Sequence, residues 1–311
     1  MKLFLIKLSV ALAMALSFLT AEELIFRSIP NDYSYKYNYL QRNASSIEIL
    51  NLGSSLELNG IKPDLFQRPA FNAAIYAQSP EFDHKYFTTF IDSLTSLKVL
   101  ILPLSYFSLR YRDVPYPVSL FEFGDKCNFT VPYKKINENF AICTYRPPRV
   151  HRAVVDYLLY HNDLLYVDSS GWSFASGQFS SFSPAEKESS MTMFVGDNNE
   201  KCGGDIAKNT KLYEEMINEC SKRNIHVILL SAPKTQMYLD NINYERLDSV
   251  INEGNGFASQ YSNVTYVNLF DDDRFSDNDF SNCNHLNFDG ARKLSLYLDS
   301  IIENTILPHN R

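Results

Sequence analysis

Leu97-Lys98-Val99-Leu100-Ile101-Leu102-Pro103-Leu104 is an almost uninterrupted apolar run, too short to span a membrane and lacking the alternation of a half-solvated strand. It reads as a strand buried on both faces. Upstream, Phe82 to Leu97 carries apolar residues at helical spacing, and this helix-then-strand order recurs along the chain. Asn209 to Asn224 is an amphipathic helix followed by the strand Ile225 to Leu230, which Ser231-Ala232-Pro233 stops. Leu247 to Gln260 reads as another helix, Val264 to Leu269 as the last strand, and Gly290 to Ile306 as the closing helix. Earlier, Ile47 to Leu52 is the first strand, and Ala70 to Ser79 a second strand with its loop. Pro30 to Asn43, rich in Tyr and Asn, reads as a loop or edge segment leading into the sheet. Strands alternating with helices predict a parallel sheet covered on both faces, an α/β/α sandwich of three layers.

At 311 residues, 45% apolar and 21% charged, the chain can bury one sizeable core. We therefore expect a single domain over 22–311, with an insertion at about 106–205 where the alternation weakens into Pro-rich, aromatic and Gly/Ser-rich pieces. That insertion is expected to form one wall of a site. A net charge of −7 leaves no basic field for binding nucleic acid. The 20 Tyr and 22 Phe are read first as core filling. Trp172 is either a sugar platform or a loop anchor.

Lys2 and Lys7 precede the apolar run Leu8 to Leu19, and Leu19-Thr20-Ala21 is a mediocre small-residue cleavage site. Residues 1–21 therefore read as a signal peptide or signal anchor, giving an exported protein: periplasmic, envelope-bound or secreted, with the same segment available for membrane anchoring. Of the five cysteines, Cys127 and Cys143 lie in one irregular stretch and are candidates to close a loop, with Cys202, Cys220 and Cys283 left over. The cysteines and histidines have no zinc-like spacing, so neither a metal nor a cofactor is expected.

Two polar motifs sit where a parallel sheet would bring them together. After the first strand, Leu52-Gly53-Ser54-Ser55-Leu56 breaks an apolar run and presents two serines. Before the last helix, Asp279-Phe280-Ser281-Asn282-Cys283-Asn284-His285-Leu286-Asn287-Phe288-Asp289-Gly290-Ala291 delivers His285. In open parallel sheets the functional loops gather at the carboxyl ends of the strands. Ser55, the Asn72 to Ser79 loop, Ser105 and His285 are thus expected to converge. A serine hydroxyl is a weak nucleophile at neutral pH and needs a base such as histidine within hydrogen-bond reach.

Together these motifs resemble the first and last sequence blocks of the SGNH/GDSL hydrolase superfamily, in which the nucleophile follows a glycine by two positions and the base lies in an Asp-x-x-His-Leu-Asn-x-x-Gly-type motif. The resemblance implies a flavodoxin-like sheet, Ser55 as nucleophile and His285 as base. The aspartate that orients the base in that family is Asn282 here. The resemblance also implies an oxyanion hole. Ser55 is one donor, Ala77 stands where the second block has glycine, and where the third block would bring an asparagine side chain the chain reads Pro103-Leu104-Ser105-Tyr106-Phe107, with Ser105 or Tyr106 to donate in its place.

Two functions follow. The preferred one is an exported serine esterase or O-acyltransferase acting on acylated carbohydrate, O-acetyl groups above all, or on another small ester. The alternative is a catalytically degenerate relative that keeps the fold and binds a glycan or a partner protein. Asn282 and the absent third-block asparagine favour the alternative; the intact Ser55 and His285 favour the enzyme.

Overall fold

The computed structural model describes residues 1–111, 140–144, 147–201 and 203–308. Its chain divides into two compact units, the first comprising Met1–Asn38 with Pro115–Tyr166 and the second Tyr39–Val114 with Val167–Arg311.

The second unit holds a five-stranded, wholly parallel sheet of β1 (Ile49–Asn51), β2 (Ala70–Asn72), β3 (Val99–Pro103), β4 (His226–Ser231) and β5 (Val264–Asn268), in the order β2-β1-β3-β4-β5. Every residue of β3 is buried, as its unbroken apolar sequence requires. The chain leaves β1 toward β2, then returns past β1 to build the rest, so the order reverses between β1 and β3. A crevice opens at such a reversal beyond the strands' carboxyl ends.

Helices cover both faces, making the fold a three-layer α/β sandwich. On one face lie α4 (Pro80–Phe90), α8 (Ile206–Lys222) and α10 (Tyr244–Gln260). Here α4 packs on α8, and Tyr213 of α8 meets Phe257 of α10 with ring centroids 6.3 Å apart. The other face carries α3 (Ser55–Gly60) and α11 (Phe288–Ile301), which pack on each other. Helix groups on opposite faces are what crossovers of one hand require when the strand order reverses. Between β3 and α8 the unit also includes α7 (Pro184–Lys201), and α9 (Gln236–Leu239) follows β4.

Several expected boundaries move. Pro30 to Asn43 is helical from Asp32 to Asn43 (α2) and is not a loop. Its start is set by a reciprocal cap in which Ser34 N–H donates to Asn31 Oδ1 (2.8 Å) and Asn31 N–H to Ser34 Oγ (3.0 Å), a local bond that overrides the modest helix propensity of Tyr and Asn. The helix expected over Phe82 to Leu97 begins earlier, at Pro80, whose ring suits a first helical turn. It ends at Phe90, before the polar Asp92-Ser93 and Thr95-Ser96 pairs. Trp172 is a loop anchor: its indole N–H donates to the Asn59 carbonyl at 2.8 Å and its ring is buried. His226, a strand histidine, has Nε2 2.8 Å from Thr265 Oγ1.

In the first unit, α1 runs unbroken from Lys2 to Ser28, well past the expected limit at Ala21. Among the described residues it is the one helix long and apolar enough to cross a membrane. Its last turns are built into the unit together with α5 (Ala141–Thr144) and α6 (Pro147–Tyr160). Phe26 and Ile29 pack with Ala141, Val150 and Val154. The Glu23 carboxylate receives the first amides of α5, from Ala141 (2.9 Å) and Ile142 (3.0 Å), and the Arg27 guanidinium at 2.7 Å. An acidic side chain at a helix start satisfies otherwise orphaned N–H groups, here in a buried setting. Cys127 and Cys202 lie outside the described residues, and so does any loop closed through Cys127.

Candidate active site

The serine turn follows β1 directly. Gly53 adopts φ +129°, a conformation that residues with a Cβ rarely take, and a Cβ there would in addition sit against the Glu57 side chain. Ser54 and Ser55 then take different roles. Ser54 is the N-cap of α3 and is turned inward: its N–H donates to Glu57 Oε2 at 2.9 Å and its hydroxyl to the same atom at 3.3 Å. Ser55 is the first residue of the helix, and its hydroxyl lies 2.8 Å from His285 Nε2.

The histidine loop fixes the other half. Asn282 Oδ1 accepts the backbone N–H groups of Asn284 and His285, each at 3.0 Å, which orients the amide with its oxygen toward the loop. The same oxygen lies 3.1 Å from His285 Nδ1. An acceptor there puts the ring proton on Nδ1 and leaves the Nε2 lone pair facing Ser55. That tautomer is the one a general base needs. Phe194 of α7 stands edge-on to the imidazole at 5.0 Å, and Ser190 of α7 accepts the Cys283 N–H at 3.1 Å. Part of the insertion thus lies against the histidine loop. Asp279, the other acid close by in sequence, is engaged elsewhere: its carboxylate receives Ser276 N–H at 2.9 Å and Lys293 Nζ at 2.8 Å.

The expected oxyanion donors are placed differently from one another. Ser55 offers its own amide, one of the first N–H groups of a helix, which have no intrahelical acceptor. Ala77 lies in the loop after β2 with φ +57°, the left-handed region that glycine favours; Tyr111 hydroxyl holds its carbonyl at 3.1 Å. Ser105 faces inward. Its N–H donates to Ser108 Oγ at 2.8 Å, its hydroxyl lies 2.8 Å from the same atom, and the residue is buried. Its N–H therefore has a protein partner and its hydroxyl is engaged with Ser108, so the expected oxyanion role would require that pair to open.

Beneath the serine turn lies a buried polar group that the sequence reading did not single out: Glu57, Asp83 and Lys234. Asp83 Oδ1 accepts Gly53 N–H at 2.9 Å and Gln78 Nε2 at 2.5 Å. Lys234 Nζ donates to the Asn284 carbonyl at 3.3 Å, and Thr235 Oγ1 to that of Cys283 at 2.9 Å, so the turn after β4 holds the histidine loop from below. Burial disfavours charge on all three. It pushes the carboxyls of Glu57 and Asp83 up to about 7 and the Lys234 ammonium down to about 7, with Glu57 and Lys234 each partly offsetting the other's shift. Cys283 is buried too, which raises its thiol. Glu57 had a readable signal, the Ser-x-x-Glu spacing of a helix start. Asp83 and Lys234 had none, because burial of a charge by distant segments leaves no local pattern.

No family model and no curated protein matches the chain. A solved structure titled "The structure of a putative platelet activating factor from Streptococcus pneumonia" superposes with a TM-score of 0.39 at 12% identity, covering 95% of this chain and 99% of that one.

Proposed function

We propose that this protein is an exported serine esterase or O-acyltransferase that works through Ser55 and His285. The observation that supports this most is the 2.8 Å separation of Ser55 Oγ and His285 Nε2, with Asn282 holding the other ring nitrogen. In the proposed reaction His285 Nε2 takes the Ser55 proton as Oγ attacks the ester carbonyl carbon. The tetrahedral oxyanion is stabilised by the amides of Ser55 and Ala77. The imidazolium then returns its proton to the departing alcohol as the C–O bond breaks, leaving an acyl-serine. Water or a sugar hydroxyl, deprotonated by the same imidazole, releases the acyl group. Acylated carbohydrate is the substrate class we favour, O-acetyl esters first.

Asn282 supports a second reading, a relative that binds without turning over, because a neutral amide cannot stabilise imidazolium as a carboxylate does. Fluorophosphonate labelling decides between them. Labelling of wild type that is lost in Ser55→Ala is the expected result; an unlabelled wild type favours the binding reading.

We further propose that α1 is retained as an anchor, its apolar part in the bilayer. Helix continues through the Ala21–Glu22 junction, where a signal peptidase needs an accessible, extended segment.

A further inference from the structure

We propose that Asp83 is a positioning residue that ties the serine turn to the Ala77–Gln78 loop, so that the two amides offered to the oxyanion move as one frame. The two segments come from different strand ends, the first from β1 and the second from β2, and each is a loop. Two backbone bonds join them, from Ala73 N–H to the Asn51 carbonyl at 2.8 Å and from Ile75 N–H to the Gly53 carbonyl at 3.0 Å. A single oxygen of Asp83 adds two more links, to Gly53 N–H and to Gln78 Nε2. Each link lands on a residue close to a proposed donor: Gly53 lies two before Ser55, and Gln78 directly follows Ala77. Asp83 itself sits in the first turn of α4, whose packing on α8 gives the bridge a rigid base.

The bridge also decides which amides remain for a ligand. Gly53 N–H is taken by Asp83 and Ser54 N–H by Glu57. Ser55 is then the first residue of the turn whose amide no buried carboxyl occupies. The groups facing Asp83 are the Glu57 carboxyl and the Tyr213 hydroxyl, with Lys234 beyond Glu57. A carboxyl oxygen that accepts two hydrogen bonds needs no net charge to do so, and burial favours its neutral form. An asparagine carbonyl at this position can therefore make both links; an alanine can make neither.

This inference rests on the esterase reading for its kinetic arm alone. Hydrogen exchange read by mass spectrometry on segments 50–56 and 73–79 tests the bridge without any activity. Asp83→Ala is expected to speed exchange in both segments by about tenfold, the size of one lost hydrogen bond, and Asp83→Asn to restore both. Gln78→Ala, a milder change, is expected to loosen 73–79 and leave 50–56 as it was, which keeps the test open if Asp83→Ala fails to fold. Exchange in Asp83→Ala that rises in one segment or in neither, or no loosening of 73–79 in Gln78→Ala, overturns the bridge.

On a small acetyl ester, Asp83→Ala should lower kcat by roughly 10- to 100-fold, the scale of a small misplacement of catalytic groups, with KM nearly unchanged and Asp83→Asn close to wild type. An unchanged kcat in an Asp83→Ala protein whose segments have loosened overturns the positioning role. A wild type with no Ser55-dependent turnover sinks the esterase reading instead, and the exchange result then decides the bridge alone.

Discussion

At Asn282 one side-chain oxygen accepts two backbone amides and faces the imidazole, so the amide fixes the ring without supplying charge. Asn282→Asp should raise kcat on a small acetyl ester, because a carboxylate in the same place also stabilises imidazolium. In a well-studied serine protease the reverse change costs about ten-thousandfold; the gain here should be smaller, since the present amide already holds the useful tautomer. Parallel assays of Asn282→Asp and Ser55→Ala check this, and no gain from the aspartate would show that another group already carries that role. Asp83 makes a separate, thermodynamic prediction. Its carboxyl is raised from an ordinary 3.8 to about 7, so between those values the folded protein holds a proton that the unfolded chain has released. Stability is then greatest below the lower value and falls as pH rises through the upper one. Urea titrations at pH 5 and pH 7 should show a larger loss in wild type than in Asp83→Asn; equal losses would mean that Asp83 is charged throughout. Lys234, lowered to about 7, has the opposite sign above neutrality, where the unfolded chain holds the proton and stability rises with pH. Ser55, His285 and Asn282 were legible because a turn glycine and a compact histidine motif are local. Asp83 was not, since Gly53, which lies in another segment of the chain, meets it only through the fold.

At the scale of elements, the loops that carry the site hold two backbone positions whose tolerance can be measured. Ala77 occupies left-handed space at φ +57°, which costs an ordinary residue roughly 1–2 kcal/mol. Glycine gives up roughly 0.5–1 kcal/mol of that through its freer unfolded chain, so Ala77→Gly should stabilise the fold by up to about 1 kcal/mol. The denaturant midpoint reads this, and a destabilised variant would show that the Ala77 methyl makes a packing contact worth more than the strain. Gly290 is the reverse case. It lies in the first turn of α11, where Asn287 Oδ1 accepts the Asp289 and Gly290 amides at 3.0 and 3.1 Å, and a Cβ there would run into the Asp279 carbonyl. Gly290→Ala should cost roughly 1–3 kcal/mol, as overpacking does; a neutral result would mean that the Asp279 segment yields freely. Asn287 was readable as a helix cap and Gly290 as a tight-turn residue. The glycine is required by the close approach of another segment, which only the folded chain reveals.

For the molecule as a whole, a retained α1 predicts that the native protein sediments with membranes, resists carbonate extraction and starts upstream of Ala21 when its N-terminus is sequenced. A mature N-terminus at Glu22 would sink this. The sequence by itself determined the α/β class, because unbroken apolar strands and amphipathic helices are local patterns tied to a fixed backbone period. The order of strands and helices also sends the Ser54-Ser55 turn and His285 to the carboxyl edge of one sheet, while the choice of Ser55 within that turn is what the family resemblance implies. Tertiary structure alone decided the inward turn of Ser105, the anchor role of Trp172, the run of α1 beyond Ala21 into a packed unit, and the burial of Glu57, Asp83 and Lys234 beneath the site. Each of those depends on which distant segment a side chain meets, and on whether water is excluded there, and neither quantity has a period or spacing that a linear sequence can carry.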